Sequence, residues 1–429
     1  MDRGHRRLSL SLVAAVGAAE AAVALLRPRS GVIEPDEVST TSYFSDGQIE
    51  RARRFRRPNL ALFGLSLAIE GAVLGLLVRR PPAFLRGRDR PLARAAAAGA
   101  GVTAGLTVAG LPVAALLRRR SLQAGLTTQS WGGWAVDQAK ALGIGVPLSA
   151  AGGALFLGLV RRKPQTWWLP AAGATVGLSV VFLFVGPVLL DPIFNRFDPL
   201  PEGPLRDTVL RLAQAAGVDV GEVFSVDASR RTTAANAYVN GLGATKRVVL
   251  YDTLLRDFTP AEVDLVVAHE LAHVRHRDLP RGLRFMAAVA PVAVHAAQRV
   301  VEALVPDPEQ RRTATVVPAG ALALGLVSFA LTAASNQLSR RIERRADTYA
   351  LQLTDAPEPF IAFEQRIAVK NLADPDPPRW LTVLLGTHPP TVERIGTGVA
   401  YERTTRSPST SSAPDPDPEA PGPRTPAGS

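Results

Sequence analysis

The chain alternates long apolar runs with short, arginine-rich polar stretches. Runs of about 20 apolar residues, the length a helix needs to cross a bilayer core, lie near Leu8 to Leu26, Asn59 to Val78, Ala95 to Leu117, Ala141 to Val160 and Trp167 to Leu190. Two more follow near Leu283 to Val305 and Ala314 to Ala334. One such run can be a buried helix of a water-soluble protein; seven in succession predict a multi-pass membrane protein. The first run follows Arg3, Arg6 and Arg7 in the manner of a signal peptide. It is long for one, and it is read as a retained span.

Between the fifth and sixth runs the pattern changes. Leu205, Val209, Leu212, Ala213 and Ala216 share one face of a predicted amphipathic helix. Short β-type stretches follow at Val223 to Val226, Ala235 to Asn240 and Arg247 to Tyr251, separated by polar and glycine-containing turns. Thr259, Pro260 and Glu262 mark a helix start in the capping-box arrangement. After the seventh run, Ser335 to Leu353 reads as one helix, and a proline-punctuated region continues to about Tyr401. The organisation expected is a five-helix membrane domain over 1–190, a mixed domain over 191–403 that includes the last two spans, and a disordered Pro/Ser/Thr-rich tail over 404–429.

Composition agrees with membrane residence. Of 429 residues 47% are apolar and 20% charged, and the formal charge is +11. The arginines cluster where apolar runs end, as at Arg79 and Arg80 or Arg118 to Arg120, which is the placement of membrane flanks rather than of a nucleic-acid surface. Nucleic acid is therefore not an expected partner. Charge is nearly balanced between the two sets of loops, so the positive-inside rule does not assign sidedness. With no cysteine in the chain, thiolate metal sites, iron–sulfur clusters and cysteine nucleophiles are excluded. Any metal has to be held by histidine and carboxylate.

The helix that starts at Pro260 carries such a set. His269 and His273 are four apart and project from one helical face, so both imidazoles can bind one ion while Glu270 reaches its bound water as general base. A catalytic zinc takes three protein ligands and keeps one open position. His276, one turn further on, is the nearest third candidate, but three histidines along one stripe do not easily enclose a tetrahedral ion. Glu343 is the better candidate: the sixth and seventh runs form an antiparallel hairpin, so the segment entering it and the segment leaving it lie on the same side of the bilayer. Asp347, four residues beyond Glu343, is placed to hydrogen-bond a ligating imidazole.

Several ordered stretches resemble the type I CAAX prenyl proteases, integral-membrane zinc metalloproteases of the gluzincin type, and their bacterial relatives. They are Thr128 to Trp131 with Trp134, Asp137 and Gln138; Trp167-Trp168; Pro192 to Phe197; Asn236 to Tyr238; Val249 to Leu255; His269 to His273; Glu343 to Asp347; and Thr387 to Pro390 with Glu393-Arg394. The resemblance implies a mainly α-helical integral membrane protein. Its seven transmembrane helices would surround a chamber, closed at one end by a small α+β zincin-type metalloprotease domain. It also implies one Zn2+ per chain on His269, His273 and Glu343, with Glu270 as base and Asp347 behind the ligands. Asn236, Ala237 and Tyr238 resemble the family's substrate-binding strand; His388 would stabilise the oxyanion, and Arg394 would support the site. Two departures stand out: Ala272 where many relatives have glycine, and Asp278 where some eukaryotic members carry histidine. His295, Gln298 and Arg299 in the sixth run suit either a chamber wall or helix packing.

The function expected is hydrolysis of peptide bonds in peptides or membrane-protein substrates, similar to a CAAX prenyl protease and carried out in a bacterial cell membrane. A quality-control protease of broad specificity fits the same residues. From a different class, so does a catalytically idle scaffold or a transporter, although such a protein has no use for Glu270.

Overall fold

The computed structural model of the protein describes residues 3–241 and 246–406. Five long helices come first: α1 (Arg3–Leu26), α2 (Asp46–Arg79), α3 (Pro91–Gln123), α4 (Trp131–Arg162) and α5 (Trp168–Val185). The last runs on through a π turn, Gly186–Leu190, and a short turn, Asp191–Phe194. The helices exceed the apolar runs that predict them, because arginine-rich flanks such as Arg51 to Arg57 continue α2 beyond the apolar part. Their outer faces carry exposed Leu65, Leu76, Val108, Leu178 and Phe182, surface that suits lipid and would be costly in water.

The mixed domain begins with β1 (Phe197–Pro199), α6 (Pro204–Ala215), β2 (Glu222–Val226), β3 (Ala237–Asn240) and β4 (Arg247–Tyr251). The sheet order is β1-β2-β4-β3, with β2 parallel to β4 and both outer strands antiparallel to their neighbours. β1 has no counterpart in the sequence reading: three residues containing a proline give too little alternation to register. A short α7 (Asp252–Asp257) leads to α8 (Pro260–Arg275), and α6 and α8 cover one face of the sheet through Val209, Ala213, Val248, Leu250, Val263, Val267 and Leu271.

Next come α9 (Asp278–Leu304), α10 (Val316–Thr354), α11 (Pro357–Lys370), α12 (Arg379–Leu385) and α13 (Thr391–Arg406). Among the described residues six helices are long and apolar enough to cross a membrane: α1 to α5 and α10. The sixth expected span is present as α9, but Arg281, Arg284, His295, Arg299 and Glu302 lower its hydropathy. It packs against α1, α5 and α10, with Val289, Val294, Ala297 and Val301 buried, so its neighbours shield it. His295 stacks edge-on against Trp168 at 5.2 Å, and Gln298 donates to Glu302 Oε1 at 2.8 Å and to the Gln165 carbonyl at 3.1 Å.

The seventh run and the helix expected at Ser335 to Leu353 are one continuous α10 of 39 residues. Helix also extends to Arg406, so a tail starting at Thr404 begins too early; from residue 407 on, that expectation lies outside the described residues.

Candidate metal centre

Two helices supply the site. α8 starts at Thr259, whose Oγ1 caps the Glu262 N–H while Glu262 Oε2 accepts from the Thr259 N–H at 2.7 Å. This reciprocal capping satisfies two orphan donors of the first turn. Val263, Leu265, Val267, Ala268, Leu271 and Ala272 bury one side of the helix. His269, Glu270 and His273 are left along the partly open side. Ala272 is fully buried, so its methyl is accommodated in the packing of the helix.

α10 brings Glu343 to the same place. Glu343 Oε2 lies 3.2 Å from His269 Nε2, and Oε1 lies 3.8 Å from His273 Nε2. The two Nε2 atoms face each other at 3.3 Å. One ligand atom from each of His269, His273 and Glu343 falls within 4.8 Å of the other two. Beyond the pair of rings stand two carboxylates: Asp347 Oδ1 at 2.9 Å from His269 Nδ1, and Asp278 Oδ2 at 3.0 Å from His273 Nδ1. The His269 contact is short but off-axis, acting through charge more than through an aligned hydrogen bond.

These contacts test whether a metal fits. A carboxylate beside Nδ1 favours the tautomer with the proton there, which leaves the lone pair on Nε2. Both rings then point bare lone pairs at one another and at a carboxylate oxygen, an arrangement that repels unless a cation lies among them. Glu343 Oε2 is buried and has no well-aligned hydrogen-bond donor among the described residues. The residues fit a divalent ion bound by two imidazoles and one carboxylate.

The carboxylates are themselves fixed. Arg394 of α13 donates through Nε to Asp347 Oδ2 at 2.8 Å and through Nη2 to Oδ1 at 2.5 Å, and its Nη1 lies 2.7 Å from Glu364 Oε1 on α11. Burial opposes the guanidinium charge, yet the two carboxylates hold Arg394 above its ordinary pKa. Burial, with Asp347 nearby, raises Glu364 to about 7. Asp278 is bonded by Arg281 and by Arg345. It stands near His273 because Arg277, at φ 55°, adopts the left-handed conformation and turns the chain between the end of α8 and the start of α9.

The other expected residues divide. Glu270 lies in the cleft beside His269, and burial raises its carboxyl above the ordinary glutamate range, the direction that suits a proton acceptor working near neutrality. His388 stands at the exposed rim, with Nε2 3.2 Å from Glu343 Oε2 and Nδ1 3.0 Å from Thr387 Oγ1. Asn236 lines the cleft, together with Phe360, Phe363 and Ile367. Ala237 is buried under the sheet, and Tyr238 points to the opposite face, where it bonds Asp191. His276 caps the end of α8 with its ring against Tyr349 at 5.2 Å, away from the ligand group. Sequence reasoning missed two participants. Asp278 registers only as a departure from a eukaryotic pattern, and Glu364 lies in no motif.

Comparison with known proteins bears on the family and the fold. Residues 199–398 match the family model Peptidase family M48, and residues 122–196 match the model CAAX prenyl protease N-terminal, five membrane helices. The uncharacterized metalloprotease YhfN of Bacillus subtilis is 32% identical over 295 residues, which is 67% of this chain and 69% of that protein. A CAAX prenyl protease 1 homolog of Oryza sativa is 30% identical over 236 residues, 52% of this chain and 53% of the relative. The crystal structure of S. mikatae Ste24p has a TM-score of 0.73 at 18% identity, covering 93% of this chain and 99% of that one, which establishes a shared fold. With spanning helices, a histidine–histidine–glutamate group and a relative matched over two thirds of both chains, the chain belongs to peptidase family M48 and is a multi-pass membrane metallopeptidase.

Proposed function

We propose that the metal is zinc, one per chain, held by His269, His273 and Glu343, and that the protein is an endopeptidase. The observation that carries this reading is the pair of Nε2 atoms turned towards each other and towards Glu343, with Asp347 and Asp278 behind the rings. Two nitrogens and one carboxylate are the donor set of a hydrolytic zinc site, whereas magnesium and calcium prefer oxygen alone. When bound there, the ion acidifies water and polarises the scissile carbonyl.

The remaining work falls to the chain. Glu270 accepts the proton of the attacking water and passes it to the leaving amine. His388, at the open rim, donates to the developing oxyanion. Arg394 keeps Asp347 ionised and in place, and Asp347 in turn orients His269. Substrate backbone adds along β3. The contact of Tyr251 N–H with the Asn236 carbonyl at 3.0 Å makes Asn236, Tyr238 and Asn240 the residues bonded to β4. By the alternation of an antiparallel ladder, Ala237 and Val239 then turn their backbone groups to the free edge. A peptide paired there runs alongside α8. The substrates are peptides or membrane proteins that reach the cleft from the membrane or its surface; the bacterial relative favours a bacterial cell membrane.

Metal analysis and cleavage of a quenched peptide library test this on detergent-purified protein. Glu270→Gln is expected to hold one zinc like the wild type while cleavage falls by about 10²- to 10⁴-fold, the usual worth of a general base. His269→Ala and Glu343→Ala are expected to lose both. Full metal binding and activity in Glu343→Ala would overturn the ligand assignment. A narrow C-terminal preference would point to processing, broad cleavage to quality control.

A further inference from the structure

The motif around Thr128 to Asp137 has no part in the chemistry above, yet it makes a dense set of contacts with the mixed domain. The loop between α3 and α4 lies against residues 228–234, the segment that feeds β3. Thr127 and Thr232 form an isolated antiparallel bridge, the Thr128 N–H donates to the Arg231 carbonyl at 3.1 Å, and Thr233 Oγ1 donates to the Gly125 carbonyl at 3.0 Å. Behind the loop, Asp137 of α4 accepts from Arg231 Nη2 at 3.1 Å and from Gln129 Nε2 at 2.5 Å. Arg118 of α3 completes the row. It donates to Gln129 Oε1 at 3.3 Å, is itself buried, and lies 5.1 Å from the centre of the Trp131 ring.

This row ends five residues before Asn236. β3 is a four-residue edge strand with one neighbour, so its own ladder fixes it weakly. The segment before it is held from two sides: by the mixed domain, where the Ser229 N–H donates to Asp252 Oδ1 at 2.8 Å and the Ala234 carbonyl accepts from Thr253 Oγ1 at 2.7 Å, and by the membrane loop, which bonds Ser229, Arg231, Thr232 and Thr233. Where β3 sits relative to α8 therefore depends in part on a contact made by two membrane helices, whose loop holds residues 231–233 between the two anchors in the mixed domain. The side chains of Arg231 and Asp137 are 23% and 18% exposed, which limits solvent screening of their attraction.

We propose that Asp137 and Arg231 are positioning residues for peptide cleavage. Their ion pair anchors the segment that feeds β3 and so sets the register in which a substrate backbone meets that strand's free edge. The inference rests on the reading of β3 as the substrate strand. It assigns a role in the reaction to a helix pair that contributes nothing to the metal site.

The test measures KM and kcat of the full chain in detergent for one fluorogenic peptide and for versions of it N-methylated at successive backbone amides. Metal content and melting are followed in parallel. Asp137→Asn and Arg231→Gln are expected to raise KM by about tenfold to a hundredfold, the scale of a misplacement near 1 Å, with kcat and metal content little changed. Asp137→Glu is expected to stay close to wild type. The exchanged pair, Asp137→Arg with Arg231→Asp, is expected to recover much of the KM, which a simple folding defect would not do. On a peptide whose pairing amide is already methylated, Asp137→Asn should add little, because both changes remove the same interaction. If alternate N-methylation weakens binding but neither single variant moves KM, the strand reading survives and the positioning role is wrong. If no methylation position matters, the strand reading itself fails, and this inference fails with it.

Discussion

At the metal site two imidazoles face each other across 3.3 Å, and each is braced from behind by a carboxylate that lies outside the five-residue motif. Asp347 could be anticipated, being one turn from Glu343 on the same helix. Asp278 could not, because it starts a different helix and reaches His273 only through the left-handed turn at Arg277. Its role can be tested directly. Asp278→Asn keeps the shape but removes the charge that favours the Nδ1–H tautomer of His273. Zinc affinity is expected to fall by about 10- to 100-fold, read by competition with a chromophoric chelator. An unchanged affinity would mean that Arg281 and Arg345 are its only real partners.

Among the elements, helix length matters most. At 1.5 Å per residue the 39 residues of α10 reach about 58 Å, nearly twice a bilayer core. The same helix can therefore cross the membrane and still deliver Glu343 outside it, about 14 Å beyond the last residue of the apolar run at Ala334. Small residues set the contact of α3 with α4. A Cβ on Gly99 would stand 2.0 Å from the Ser149 carbonyl oxygen, and one on Gly153 would stand 2.4 Å from that of Ala95. Thr103 donates to Ser149 across the same contact at 2.6 Å. Close approach of this kind holds membrane helices together where lipid offers no hydrophobic drive. Gly153→Leu is expected to separate the pair and lower stability by about 1–3 kcal/mol, seen as a lower melting temperature; an unchanged melt would show that the contact is dispensable.

The mixed domain adds a contact with a pH signature. Arg256 and Lys370 hold Asp257, at the end of α7, down at about 2, which ties α7 to α11. A depressed folded-state value means that this stability is fully present above the unfolded pKa of 3.8 and is lost as pH falls through about 2. Asp257→Asn is expected to cost about 1 kcal/mol at neutral pH, after discounting for partial exposure. The gap in melting temperature to wild type should narrow below pH 3.8 and close near 2. A gap that stayed constant would mean that the loss is steric.

The whole molecule is joined by segments distant in sequence. The chain between α1 and α2 lies against the C-terminal helices. The Ile33 N–H donates to Thr348 Oγ1 at 3.0 Å, the Asp36 N–H donates to the Gly396 carbonyl at 3.1 Å, and Arg403 pairs with Asp36 through two contacts of 3.0 Å. The metal site joins α8 to α10 in the same way, so occupancy should stabilise the whole chain. At an ion concentration a thousandfold above Kd the gain is about 4 kcal/mol. A chelator is therefore expected to lower the melting temperature of the wild type and to leave that of His269→Ala unmoved; equal shifts in the two would place the chelator's effect elsewhere.

The sequence by itself determined the membrane character of the chain, most of its helices, the strands β2, β3 and β4, and the pair of histidines with Glu270, because each is written in a local period or spacing. Hydropathy alone does not mark α9 as clearly as the other spans, since it carries charged residues that pair within the helix, Arg281 with Asp278 and Arg299 with Glu302, while its apolar side is buried by α1, α5 and α10. The pairing of Asp278 with His273, the pairing of Arg394 with Asp347 and Glu364, and the contact of the α3–α4 loop with the segment before β3 were decided only by the tertiary structure. Apart from His273 with Asp278, five positions apart across the turn at Arg277, each joins residues tens to hundreds of positions apart, and an ion pair leaves no period in a sequence: its two charges look like any surface charges until the fold buries them side by side.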